Sequence, residues 1–271
     1  MERVRTARLE LATERRGTGD PVLFVSGTGG DLRKRPNVLD GPLAEAFEVL
    51  AYDQRGLGRS AHPPGDWTMG AYADDAAALL DAVGWDAVPV VGVSFGGMVA
   101  QELALRHPDR VRALVLCCTS AGGAGGASWP LHELAALPDA ERERLQLELS
   151  DRRMDAAWQA AHPERVERIL AQQRAQAAIG AGEPGRAEGA ARQLEARRRH
   201  DSWDRLPSLR VPTLVCAGRH DGIAPPENAE ALAARIPGAE LRWFDGGHLF
   251  LLQDRSAWPA IVAWLRSRGR A

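Results

Sequence analysis

The sequence predicts an α/β domain: a doubly wound, mostly parallel sheet with a helical segment inserted between two of its strands. Two observations predict this. Short apolar runs bounded by Gly, Pro or Asp alternate with helix-like segments, the pattern of βαβ units whose strands are buried on both faces. One long stretch, residues 120–206, breaks the alternation with no strand-like run at all.

Taken in order, residues 4–12 alternate apolar and polar well enough for an antiparallel edge strand. Residues 21–25 form a continuous apolar run ending in Ser26-Gly27-Thr28-Gly29-Gly30. Residues 47–52 form a second run, ending in Asp53-Gln54-Arg55-Gly56. A helix is expected over 69–83, a strand over 87–93, a helix over 98–107 and a strand over 112–118. After the insertion, strands are expected over 213–217 and 240–244, with helices over 227–236 and 256–268. Within 120–206, Ala, Glu, Arg, Gln and Leu dominate, and Pro138, Pro163 and the glycines at 180–185 separate three or four helical patterns. Its leading Ala121-Gly122-Gly123-Ala124-Gly125-Gly126 reads as a flexible connector. The charge runs 141–144 and 197–199 read as solvated helix surface. The core therefore comprises 1–119 and 207–271, and 120–206 is a helical cap, or lid.

Composition narrows the class. With 45% hydrophobic and 26% charged residues, the 271-residue chain is ordinary for a globular protein. A formal net charge of −2 builds in no attraction to nucleic acid or an anionic membrane. No apolar stretch approaches the roughly 20 residues of a membrane span, and the first residues lack the apolar core of a signal peptide. A cytoplasmic monomer or homodimer is expected. Cys117, Cys118 and Cys216 lie inside apolar runs, and an odd count with two sequence neighbours is no disulfide framework. They read as buried thiols, and without Cys-x-x-Cys or paired His spacing no metal is expected.

Chemistry concentrates at Gly92-Val93-Ser94-Phe95-Gly96-Gly97, between a strand and a helix. In that setting the glycines permit a tight turn, and the serine takes strained backbone angles that lift its hydroxyl clear of the sheet. A serine needs a base to become nucleophilic. His248, in Asp245-Gly246-Gly247-His248, and Asp221, in Gly218-Arg219-His220-Asp221, each follow a strand. All three residues then fall at the carboxyl edge of one sheet. His220 adjoins Asp221 and cannot readily be oriented by its own neighbour, while His62, His107 and His162 each precede proline. Two backbone N–H donors must hold the oxyanion of an acyl-transfer intermediate. Phe95, directly after the serine, is one candidate and Thr28 the other, with Gly27 allowing backbone close to the substrate.

With these motifs in place, nearly the whole chain resembles the α/β-hydrolase family. Ser26-Gly27-Thr28-Gly29 lies where that family often carries a His-Gly-x-Gly turn, with Ser26 replacing the usual histidine. Asp53-Gln54-Arg55-Gly56-Leu57-Gly58-Arg59-Ser60 matches its Asp-x-Arg-Gly-x-Gly-x-Ser segment. The subgroup most similar contains the 3-oxoadipate enol-lactonases, and Asp201 before the returning strand fits it. Gly56-Leu57-Gly58-Arg59-Ser60-Ala61 also fits a dinucleotide-binding pattern, but Pro63 and Pro64 forbid the helix that would hold a pyrophosphate.

The expectation is thus a serine hydrolase of a small carboxylic ester or lactone, with no cofactor and no metal, in which Ser94 attacks, His248 relays the proton and Asp221 orients the imidazole. Acyl transfer, perhydrolysis, hydrolysis of a carbon–carbon bond, or a receptor with little turnover are the alternatives. The cap would line the pocket and set specificity, with Trp129, Trp158, Arg199, His200 and Trp203 as candidate substrate contacts.

Overall fold

A computed structural model describes residues 1–268. Its sheet has eight strands: β1 (Glu2–Arg5), β2 (Glu10–Arg16), β3 (Pro21–Val25), β4 (Glu48–Tyr52), β5 (Val88–Val93), β6 (Val111–Cys117), β7 (Thr213–Gly218) and β8 (Glu240–Phe244). Their spatial order is β1-β2-β4-β3-β5-β6-β7-β8. The first two run antiparallel, and the six from β3 to β8 are mutually parallel. The helices are α1 (Pro42–Ala46), α2 (Met69–Ala82), α3 (Phe95–Arg106), α4 (Asp139–Ser150), α5 (Ala156–Ala161), α6 (Pro163–Ala178), α7 (Arg186–Arg198), α8 (Pro226–Arg235), α9 (Phe250–Gln253) and α10 (Ala257–Arg268). No helix among the described residues is long and apolar enough to cross a membrane.

The apolar runs are continuous because the sheet is covered on both sides. Along β6, Leu114 and Leu116 join the core beneath α2, α3 and α8, while Ala113, Val115 and Cys117 join the core beneath α1 and α10. One expected element is corrected. The single edge strand over 4–12 is a hairpin, β1 turning into β2 at Thr6–Leu9. The Thr6 hydroxyl donates to the Leu9 carbonyl at 2.8 Å and accepts the N–H groups of Arg8 and Leu9. A side chain closing the turn this way leaves the apolar–polar alternation unbroken across it. Helix α3 also begins earlier than apolar periodicity indicates, directly after Ser94, because Gly96 and Gly97 interrupt the apolar pattern of its first turn.

Residues 120–206 leave the sheet between β6 and β7, which pair directly from Leu114↔Thr213 to Cys117↔Cys216. Four α-helices, α4 to α7, fill most of the segment. Gly122 and Gly125 are buried, which corrects the reading of 121–126 as a flexible connector. Gly122 bridges to Asp201, and a Cβ on it would strike the His200 carbonyl; one on Gly125 would strike the Trp203 ring. These glycines allow close approach of two backbones at the root of the insertion. Ser202 ties the same root to the core: its N–H donates to the Ala121 carbonyl at 2.8 Å and its hydroxyl to Gln101 Oε1 at 2.7 Å.

Beyond β4, the Arg55 guanidinium meets the Asp75 carboxylate of α2 through Nε at 2.6 Å and Nη2 at 2.7 Å. Both side chains are buried, and the guanidinium lies over the Tyr72 ring at 5.5 Å. Removing one partner of a buried, hydrogen-bonded pair strands the other, at a cost of about 3–5 kcal/mol. Asp75→Ala is therefore expected to lower the free energy of unfolding by that amount. Arg55→Met with Asp75→Leu should recover most of the loss, as read by equilibrium urea unfolding.

Candidate active site

Strand β5 ends at Val93, and α3 starts one residue past it, so Ser94 alone makes the turn. It does so with φ 54° and ψ −116°, in the left-handed region that L-residues avoid. A Cβ on Gly96 would overlap the Val25 carbonyl, and one on Gly92 the Gly96 carbonyl. Glycine at both places is what allows helix and strands to approach this closely. Thr119 Oγ1 donates to the Ser94 carbonyl at 2.8 Å and fixes the turn from the β6 side.

The side chains of Ser94, His248 and Asp221 meet although they lie far apart in sequence. His248 Nδ1 lies 2.8 Å from Asp221 Oδ2, and Nε2 lies 3.0 Å from Ser94 Oγ. A carboxylate only accepts, so Nδ1 carries the proton and the lone pair of Nε2 faces the serine hydroxyl. Asp221 is fully buried, and its Oδ1 accepts the N–H groups of Ile223 and Ala224, each at 2.8 Å. The aspartate is held at both oxygens, which sets the imidazole plane.

Thr28 and Phe95 present backbone N–H groups that find no acceptor among the described residues. Phe95 is the first residue of α3, where amide dipoles favour negative charge. The turn bearing Thr28 is braced around its other residues. Gln54 Nε2 donates to the Ser26 carbonyl at 2.7 Å and Lys34 Nζ to the Gly29 carbonyl at 3.0 Å. Asp53 in turn accepts the N–H groups of Leu32 at 2.7 Å and Arg59 at 3.0 Å. Burial pushes the Asp53 carboxyl up to about 6. The Asp-x-Arg-Gly-x-Gly-x-Ser segment thus acts as a scaffold under the turn. Gly27 lies against Ser94 Cβ and the Val93 carbonyl, in a cavity of about 290 Å3 lined also by Thr28, Lys34 and Asp53.

The insertion reaches three of these loops. Behind α4, the Ser150 carbonyl accepts the His248 N–H at 2.7 Å and the Leu149 carbonyl the Gly222 N–H at 3.0 Å. Asp151 accepts from Gln253 Nε2 at 2.9 Å. From α7, Gln193 Oε1 accepts the Gly29 N–H at 2.8 Å, one residue past Thr28. Sequence reasoning missed Gln193, Arg197 and the 149–151 strip. The signal was a four-residue spacing of Gly189, Gln193 and Arg197 on a helix with too few large apolar residues to mark its buried face. The reading of 197–199 as solvated surface is corrected for Arg197, which is 6% exposed; Arg198 and Arg199 do face solvent, both paired with Glu195.

The expected substrate contacts divide. Trp129 lies beside the Asp221 loop, its backbone N–H donating to the Ile223 carbonyl at 2.7 Å. His200 is buried, with neither ring nitrogen partnered. Arg199 points to solvent and is dropped as a contact. Trp158 stacks on His162 and packs against Leu147, Val166 and Leu170 within the cap. Trp203 packs over Gly125 and beneath the Arg235 guanidinium at the insertion's root. Both rings are taken up in packing. The three cysteines are free and buried. Cys118, with φ 42°, brings its sulfur near Asp221 and His248, the ligand atoms of the three lying within 4.8 Å of one another. Burial and the Asp221 charge push its thiol pKa up, so it stays protonated beside the aspartate.

Comparison with known proteins agrees with this architecture. A family model described as alpha/beta hydrolase fold matches residues 20–254. The polyketide synthase ThaQ of Burkholderia thailandensis is 35% identical over 98% of this chain, which spans only 12% of that protein. A poly(3-hydroxyalkanoate) depolymerase of Ectopseudomonas oleovorans is 32% identical over 89% of this chain and 82% of its own length. The enol-lactonase of Burkholderia xenovorans LB400 superposes with a TM-score of 0.77, covering 98% of this chain and 100% of its own, at 23% identity.

Burial lowers the His200 pKa to about 4, against about 6.5 in an unfolded chain. As pH falls below about 6.5 the unfolded chain takes up this proton first, and the folded protein does not follow until about 4. Stability is therefore lost progressively across that window, by on the order of 3 kcal/mol from this group. His200→Phe should fold and show a flatter stability profile between pH 6.5 and 4. Parallel profiles for both proteins in urea titrations would show that His200 is not the group responsible.

Proposed function

The chain belongs to the α/β-hydrolase family, and from that premise we propose that it is a serine hydrolase cleaving the carboxylic ester or lactone of a small molecule through an acyl-enzyme. The observation carrying this reading is the continuous hydrogen-bonded line from Ser94 Oγ through His248 to Asp221. The names of the depolymerase and the enol-lactonase are consistent with it.

In this mechanism Ser94 Oγ attacks the carbonyl carbon while its proton passes to His248 Nε2. Asp221, acceptor-only and held by two amides, stabilises the imidazolium through Nδ1–H. The oxyanion takes the N–H groups of Thr28 and Phe95, already free of other partners. His248 returns its proton to the leaving alkoxide, whose bond to the acyl carbon breaks. Water, deprotonated by the same Nε2, then attacks the acyl-enzyme, and Ser94 leaves with its proton restored. In a lactone the leaving oxygen stays tethered to the product acid. The 35% identity to a stretch of a polyketide synthase favours one second reading: the acyl-enzyme is resolved by an acceptor other than water. Product analysis with and without an added alcohol separates the two.

Ser94→Ala should leave the fold intact and lower ester hydrolysis by roughly four to six orders of magnitude, measured on a panel from short acyl esters to lactones. Retention of more than a tenth of the wild-type kcat/KM, with contaminating esterase excluded, would end the reading. Gln193→Ala removes one neutral hydrogen bond from the Thr28 turn, worth about 1 kcal/mol. The rate of Ser94 phosphonylation should fall about fivefold with the melting temperature little changed. An unaltered rate would mean that the turn holds its shape without the cap.

A further inference from the structure

The buried face of α7 carries Gly189, Gln193, Arg197 and then His200 just past its end. Gly189 lies against the Gly56 backbone, so the helix is pressed onto the core at that point. The next two residues show a pattern unlike the rest of this arginine-rich chain. The Arg197 guanidinium is buried and uses one nitrogen, Nη1, which donates to the Trp129 carbonyl at 2.8 Å. Its Nε and Nη2 are buried without any partner, and no carboxylate among the described residues lies in salt-bridge range. Its sequence neighbours Arg198 and Arg199 are exposed yet both pair with Glu195, and Arg186, whose Nη1 is also buried without a hydrogen bond, still has Asp31 at 3.8 Å. One turn away, Gln193 Nε2 is likewise a buried donor without an acceptor, and His200 leaves both ring nitrogens unpartnered.

A buried cation with no counter-charge is costly, and so is each unmatched donor beside it. Such a group is retained where something else supplies the acceptor. The location says what it would serve. Gln193 is bonded to Gly29 of the turn that holds Thr28. Trp129, which Arg197 touches, is bonded to Ile223 of the loop that holds Asp221. The guanidinium therefore lies under the cap, between the oxyanion turn and the acid loop. Its free nitrogens, Nε and Nη2, form one edge of the planar fork, whose two parallel N–H groups match the two oxygens of a carboxylate.

We propose that Arg197 and Gln193 form an anion subsite in the cap that takes a carboxylate carried by the substrate, away from the bond that Ser94 cleaves. This deepens the hydrolase reading and rests on it. One positive charge is present, because burial keeps His200 neutral at pH 7 and leaves the Arg197 pKa at about 10, still charged. A monoanion is balanced there and a dianionic phosphate is not.

Two measurements test the subsite separately from the chemistry. The first is binding to the Ser94→Ala protein, read as a melting-temperature shift with pentanoate, pentanamide or inorganic phosphate. Pentanoate should stabilise it at concentrations at least tenfold below pentanamide, with phosphate without effect. The same selectivity should vanish in the Ser94→Ala, Arg197→Met protein and return in part with Arg197→Lys. The second is kcat/KM for the p-nitrophenyl esters of hydrogen glutarate and of pentanoate, charged and neutral. The wild type should prefer the charged ester at least tenfold, and Arg197→Met should lose that preference chiefly through KM. Equal stabilisation by acid and amide, or stabilisation by phosphate matching that by pentanoate, overturns the subsite. Carboxylate-selective binding with neither ester cleaved leaves the subsite standing and overturns the ester reading. Should Arg197→Met fail to fold, the acid–amide comparison in the Arg197 protein still decides.

Discussion

The first turn of α3 is jammed against β3 and β5 so closely that carbonyl oxygens occupy the space where side chains would begin at Gly92 and Gly96. From that one contact much of the site's geometry follows. Ser94 has to take left-handed angles to join strand to helix, which raises its hydroxyl off the sheet. The same contact places the free N–H of Phe95 at the helix start, next to the turn that leaves β3. A looser helix would separate the Ser94 hydroxyl from both amides together. The parallel sheet then supplies the remaining members, because β7 and β8 end on the same edge and deliver Asp221 and His248 from adjacent loops.

The second element of order comes from the insertion, which acts as a brace more than as a cover. Its strip 149–151 hydrogen-bonds the backbones of the Asp221 loop and the His248 loop, and Gln193 hydrogen-bonds the Thr28 turn. Three loops that leave three different strands thus share a roof. Loops gain fixed geometry from such contacts at little cost in area, since backbone groups that face each other are already obliged to find partners.

The six parallel strands were legible because strands buried on both faces read as unbroken apolar runs. Ser94, Asp221 and His248 were legible because each follows such a run in a glycine-bearing turn. The edge hairpin was not, since Thr6 closes its turn without glycine or proline. The cap was opaque for a related reason. Gln193 and Arg197 occupy the buried face of α7, but polar residues in a helix of low apolar content look like surface until the partner that buries them is known. For the same reason Arg199 looked like a pocket residue and Trp158 and Trp203 like substrate contacts. Sequence places a side chain on a helix, while the turn that hides it is set by tertiary contact.

The Ser150 carbonyl's bond to the His248 amide bears on how caps of this kind can be exchanged. Here a swap cut at the root, near Gly122 and Asp201, would remove the strip that holds the His248 and Asp221 loops in register. A chimaera should therefore carry residues 149–153 with the recipient core and exchange only what lies between α5 and α7. The insertion is then two parts: one that hydrogen-bonds the Asp221, His248 and Thr28 loops, and one, centred on α6, that packs on the first through Val166 and Leu170.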